Sequence, residues 1–178
     1  MGLRPLHLLG SPLLREPSAR LETVDDDVRQ LVADLFDTMD AAEGVGLAAN
    51  QVGVALRVAV VGVEDDRFVL INPAIIESEG KDTAEEGCLS VPDIYADVTR
   101  PARIVVETLD ESGEPYRIEA DGLKARVIQH EMDHLDGMLF LDRLSPLKRR
   151  VLTKRWKKSG KDTPNHLLEV TAASTTTD

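Results

Sequence analysis

The string His130-Glu131-Met132-Asp133-His134 constrains this chain more than any other stretch. On a helix, residues i and i+4 lie one turn apart on the same face. Both imidazoles can then grip one metal ion, and the Glu beside the first can reach water bound to it. The flanks favour a helix: Ala125, Val127, Ile128, Met132 and Leu135 fall mostly on one side of residues 124–135, and Gly137 is a stop signal.

Two histidines leave a catalytic metal one protein ligand short. The longer protease pattern H-E-x-x-H-x-x-G-x-x-H finds Gly137 in place but Phe140 where its last histidine belongs. The only later glutamate is Glu169, a poor candidate in a polar C-terminal stretch. Cys88 is the remaining strong donor, although a lone cysteine is by default a small buried hydrophobe.

Periodicity changes along the rest of the chain. Val24, Val28, Leu31, Val32, Leu35, Phe36 and Met39 form an amphipathic helical stripe, with Thr23 as the expected N-cap, Asp25 to Asp27 at the positive helix start, and an end near Glu43. Residues 57–63, 67–72 and 74–79 are short, β-branched-rich runs that read as strands. Residues 103–109 and 116–120 flank Asp110-Glu111-Ser112-Gly113, a hairpin turn. A last helix is expected over 145–158, with Ser145 as N-cap, Pro146 at the first helical position, and Leu147, Val151, Leu152 and Trp156 as its apolar stripe.

The expected fold is α+β: antiparallel or mixed sheets around a central helix carrying His130 to His134, with an N-terminal amphipathic helix and a C-terminal helix. The expected organisation is one catalytic domain over 1–158 that includes the helix 145–158. A polar tail follows over 159–178, partly disordered, above all from 171 onward.

Charge and cysteine usage exclude several classes. The net charge is −11, which argues against nucleic-acid binding by the whole surface. One cysteine permits no intrachain disulfide, so a disulfide-stapled secreted mini-domain is excluded. There is no run of eighteen apolar residues, and no charged start followed by a long apolar stretch. A soluble, cytoplasmic chain with no membrane association is expected, and a monomer. Eight cations and no acid lie between 148 and 161; the other 13 cations face all 32 acids.

Three segments occur in order: Gly44-Val45-Gly46-Leu47-Ala48-Ala49-Asn50-Gln51, Glu86-Gly87-Cys88-Leu89-Ser90, and Gln129 through Gly137. Together they resemble the peptide deformylase family, of its type 1-like form with a basic C-terminal helix. Residues 10–15 and 144–148 look similar too, so the resemblance covers roughly residues 4–158.

The resemblance implies a divalent ion held by Cys88, His130 and His134, with water in the fourth place. Iron(II) is implied in the cell, with zinc, nickel or cobalt possible in purified protein. The water would attack the formyl carbon of an N-formylmethionyl peptide, with Glu131 taking its proton and passing it to the leaving amine. Formate and a free N-terminal Met would result. The side-chain amide of Gln51 and the backbone N–H of Leu89 would donate to the oxyanion. Val45 N–H, Gly46 C=O and Gly87 would hold the substrate backbone.

Val45, Leu123, Val127 and the His130 ring are candidates for the methionine pocket, although Leu123 reads equally well as core. Glu86 is expected to pair with Arg100, and Asp133 to make hydrogen bonds around the ligands or to face solvent. The role of Arg126 stays open. Tyr95 stands where some family members have an Arg near the substrate mouth. The basic helix 145–158 is expected to dock on ribosomal RNA. The alternative function is a metalloendopeptidase using the same H-E-x-x-H logic.

Overall fold

Valines and alanines fill both faces of one central strand, and the architecture follows from that. In the computed structural model, which describes residues 2–172, the chain begins with β1 (Leu6–His7), a 3₁₀ turn (Pro12–Arg15) and α1 (Asp26–Ala41). Next come β2 (Gly46–Ala48), a second 3₁₀ turn (Ala49–Val52), β3 (Val58–Val63) and β4 (Asp66–Glu79). The strands β5 (Asp82–Cys88), β6 (Val91–Arg100), β7 (Arg103–Leu109) and β8 (Pro115–Asp121) then lead into α2 (Gly122–Leu135). A third 3₁₀ turn (Phe140–Arg143), α3 (Pro146–Lys158) and β9 (Leu167–Leu168) complete it.

Five strands form one antiparallel sheet in the order β2-β3-β4-β7-β8, while β5 pairs with β6 and β1 with β9. Successive side chains of β3 point to opposite faces. Val58 and Val60 therefore meet Leu31, Val32, Leu35 and Met39 of α1. Ala59, Val61 and Val63 meet Ala125, Ile128, Met132 and Leu135 of α2. Burial on both sides explains why this strand is apolar throughout. A third cluster joins Val91, Ile94 and Val98 of β6 to Leu152 and Trp156 of α3.

The α+β arrangement is the expected one, with α2 as the central helix. Details differ. The N-cap of α1 is Asp25, whose carboxylate accepts from Val28 N at 3.0 Å, and not Thr23. The strands expected over 67–72 and 74–79 are a single strand, β4, bulged where Pro73 supplies no N–H. Asn72, at φ 49, uses its side-chain amide there to bond both Leu21 N and Leu21 O.

In α3 only Leu152 and Trp156 are buried; Leu147 and Val151 face solvent, because that helix docks along one narrow seam. Pairings between named strands are all antiparallel, and among the described residues the single parallel contact is an isolated bridge between Ala19 and Leu56. Within the stretch expected as a tail, Leu167–Leu168 form β9. The expected disorder from 171 onward falls mainly on 173–178, outside the described residues. No helix among the described residues is long and apolar enough to cross a membrane.

Candidate active site

The cleft is built where three local structures meet. The first is the end of α1. Glu43 takes φ 57, a left-handed conformation that reverses the chain, and Gly44 N closes the turn on Met39 O at 2.9 Å. The chain then enters β2, the edge strand of the large sheet. Gly46 is required at its start: a Cβ there would lie 2.6 Å from Glu131 Oε1. Absence of a side chain lets the strand backbone approach the α2 carboxylate directly.

The second is the end of β5 and the turn after it, which present Cys88 and Leu89. The third is α2. Asn50 Nδ2 donates to His134 O at 2.6 Å, fixing the last turn of α2 against the 3₁₀ turn that carries Gln51. Gln51 is 1% exposed, with Oε1 accepting from Ala48 N at 2.9 Å and Nε2 donating to Ser90 Oγ at 3.0 Å. The same Nε2 lies 3.7 Å from Cys88 Sγ.

Cys88, His130 and His134 converge, with one ligand-type atom from each all within 4.8 Å of one another. His134 Nε2 is 3.3 Å from Cys88 Sγ and 3.3 Å from His130 Nε2. His130 Nδ1 lies 3.0 Å from Glu86 Oε1. A carboxylate can only accept there, so Nδ1 carries the hydrogen and the Nε2 lone pair faces the cluster.

Glu86 is itself held by four donated hydrogen bonds. Arg100 grips it through Nε at 2.6 Å and Nη2 at 2.9 Å, and Arg126 Nη1 adds a contact at 2.6 Å. Burial works to raise the Glu86 carboxyl, but the hydrogen bonds from His130 and Arg100 outweigh it and hold it at about 2. Asp133 is buried, not solvent-facing; it joins Arg100 Nη1 at 2.9 Å to Arg143 Nη2 at 2.6 Å.

The donors suit a divalent ion. Burial pushes His134 well below its ordinary value and keeps it neutral, with a free lone pair. Burial also opposes a charge on His130, yet its bonds to Cys88 and Glu86 raise it well above the usual value. Sulfur plus two imidazoles is a set suited to zinc, iron, nickel or cobalt.

Glu131 stands beside this cluster, 4% exposed, with Oε2 lacking any hydrogen-bond partner. Burial, the largest influence, raises its carboxyl to about 7. A carboxyl poised there can both take and return a proton at neutral pH.

A cleft of 770 Å³ opens onto these groups. Val45, Gly46, Gln51, Gly87, Cys88, Leu89, Leu123, Val127, His130 and Glu131 all line it. His134, 1% exposed, lies behind the wall. Val45 and Leu123 are about half exposed, so Leu123 is cleft lining and not core. Sequence reasoning missed the clamp made by Arg126 and the acceptor at Ser90 Oγ. Nothing local in the sequence signalled the first, since only tertiary contacts show Arg126 buried against Glu86.

The model of the family described as "Polypeptide deformylase" matches residues 3–150. The chain belongs to the peptide deformylase family. It is an enzyme of that family. A peptide deformylase of Brucella suis is 46% identical over 164 residues, covering 89% of this chain and 94% of its relative. One from Chromohalobacter salexigens is 53% identical over 150 residues, covering 82% and 88%. Among solved deformylase structures, that of Legionella pneumophila superposes with a TM-score of 0.84 at 43% identity, covering 88% of this chain and 94% of the other. The Ehrlichia chaffeensis deformylase in complex with actinonin gives 0.87 at 38%, covering 90% and 99%.

Proposed function

We propose that this chain removes the formyl group from N-formylmethionyl peptides as they emerge in the cytoplasm, releasing formate. The observation that carries the reading is the meeting of Cys88 Sγ, His130 Nε2 and His134 Nε2 beside the unpartnered Glu131 carboxyl. Those three residues would hold a divalent ion, iron(II) in the cell and zinc, nickel or cobalt in purified preparations, which when bound would supply Lewis acidity to the formyl carbonyl and to water.

The chain's own groups do the rest. Glu131 takes a proton from the attacking water and returns it to the amine nitrogen as the C–N bond breaks. Water oxygen ends in formate, and the peptide leaves with a free amine. Gln51 Nε2 and the Leu89 N–H donate to the oxyanion.

The substrate lies extended along β2, its backbone bonded by Val45 N–H, Gly46 C=O and Gly87. Main-chain pairing of that kind tolerates any sequence. The exposed side chains of Val45 and Leu123, with Val127, receive the methionine side chain. Supporting this, all five of these residues line the one cleft. The catalytic domain spans 1–158 and acts as a monomer, and the basic helix α3 docks on ribosomal RNA through phosphate contacts.

The test offers formyl-Met-Ala-Ser, its acetylated and its unformylated forms to anaerobically purified protein. Formate is expected from the first alone. Internal cleavage of casein without formate from any peptide would overturn the reading in favour of an endopeptidase.

A further inference from the structure

The turn that joins β5 to β6 is very short. Cys88 stands opposite Val91 in register, so only Leu89 and Ser90 lie between them. Ser90 is wholly buried. Its backbone O accepts from Leu9 N at 2.8 Å, which pins the turn to the segment after β1. Among the described residues its hydroxyl meets one partner, Gln51 Nε2 at 3.0 Å.

A side-chain amide offers two hydrogens on nitrogen and two lone pairs on oxygen. In Gln51 the oxygen is taken by the Ala48 N–H at 2.9 Å. That contact decides which way the amide faces, since a flipped amide would set its own N–H groups against the Ala48 N–H. It leaves the nitrogen end free to swing about the oxygen. Ser90 Oγ removes this freedom by accepting one hydrogen. The other hydrogen is left on the side of Cys88 Sγ, 3.7 Å from Nε2, on the wall of the cleft. Asn50, next to Gln51 in the same turn, takes no part, because its amide nitrogen donates to His134 O at 2.6 Å.

We propose that Ser90 is a positioning residue for the reaction: its hydroxyl holds the Gln51 amide with one Nε2 hydrogen aimed at the oxyanion that forms in the cleft. The proposal rests on the deformylase reading above, in which Gln51 Nε2 is an oxyanion donor. Three consecutive residues then have three tasks. Cys88 offers sulfur to the ion, Leu89 offers its N–H to the oxyanion, and Ser90 sets the aim of the second donor. Aim matters because a donor that must first turn stabilises the developing charge less than one already in place.

The experiment compares full-length, metal-loaded wild type, Ser90→Ala, Gln51→Ala and the double variant. Metal content and formate release from formyl-Met-Ala-Ser are measured on each preparation. Ser90→Ala should keep its metal and lose about 10–100-fold in kcat, with KM within about twofold, since the oxyanion is absent from the ground state. In the Gln51→Ala background the same change should cost less than about twofold, because nothing remains for Ser90 to hold. A serine that only supported the fold would cost the same in both backgrounds. Hydrogen exchange in the zinc-loaded protein, followed by NMR, reads the clamp without turnover. Exchange at the Gln51 side-chain amide should quicken by about three- to tenfold in Ser90→Ala, while the Leu9 N–H, bonded to the Ser90 backbone, keeps its rate.

An equal kcat loss in both backgrounds, a loss carried by KM alone, or a Gln51 side-chain exchange rate unmoved by Ser90→Ala would each overturn the proposal while leaving the deformylase reading intact. Loss of the fold or of the metal in Ser90→Ala would mark the serine as structural and overturn it too. Absence of formate with wild type would overturn the deformylase reading and the proposal with it.

Discussion

Glu86 Oε1 lies 3.0 Å from His130 Nδ1, and the same carboxylate is gripped by Arg100 and Arg126. The orientation of one imidazole is thus set by an ionic network that is almost wholly buried. Glu86→Ala strips the ring of its acceptor and leaves two buried guanidinium groups underpaired. Metal affinity should fall about 10–100-fold, read by chelator competition. Stability should fall by about 3–5 kcal/mol in denaturant titration. Glu86→Gln, which keeps an acceptor oxygen, should lose less of both. Wild-type affinity in the alanine variant would refute this role.

Glu131→Gln should bind metal stoichiometrically yet lose about 10²–10⁴ in turnover, because the amide cannot take a proton. Metal content and formate release, measured on the same preparation, separate the two effects. Gly46→Ala attacks the same group from the other side, since the added Cβ would sit 2.6 Å from Glu131 Oε1. A displacement of about 1 Å can cost about 100-fold, so turnover should drop steeply with metal retained. Undiminished turnover in Glu131→Gln would remove Glu131 from the chemistry.

The three helices, β3 and the β7–β8 hairpin were legible because each obeys a short-range rule. A stripe every three to four residues marks a helix, a turn such as 110–113 marks a hairpin, and a short β-branched-rich run marks β3. The β5–β6 hairpin was not legible. Its first strand, Asp82–Cys88, is largely exposed and carries three acids, so composition disguises its pairing. The β1–β9 ladder joins residues some 160 positions apart, and no local pattern announces such a contact.

In the site, the candidate metal ligands were carried by their motifs. Arg126 was not legible, because a guanidinium on a helix ordinarily reads as solvent-facing and only tertiary contacts reveal the Glu86 clamp.

Asp142 supplies a pH test. Burial works to raise its carboxyl, but the Leu139 N–H at 2.9 Å and the Arg15 guanidinium outweigh it and hold it below the ordinary range. A depressed acid adds stability above its unfolded value of about 4, and that stability drains away as pH falls through the folded value. Asp142→Asn never has this contribution. The gap between wild type and variant should be widest at neutral pH and narrow steadily below about pH 4, as followed by urea midpoints. A gap that widened on acidification would contradict the assignment.

Ribosome docking by α3 is tested without removing the helix, since Trp156 is 2% exposed and truncation would empty a core cluster. Charge reversals at the exposed Arg150, Lys154 and Lys157 leave Leu152 and Trp156 in place. Co-sedimentation with ribosomes should weaken by at least about tenfold at low salt, and its salt dependence should become shallower. Formate release from short peptides should persist. Unchanged co-sedimentation would reject the docking surface.

The sheet ends in β2, a strand of three residues whose far side no other strand among the described residues covers. Long open margins of this kind recruit copies of themselves and lead to aggregation. This one is cut short by the 3₁₀ turn that begins at Ala49. Its brevity denies a second molecule the length needed to zip up, so this border opposes edge-to-edge growth of the sheet.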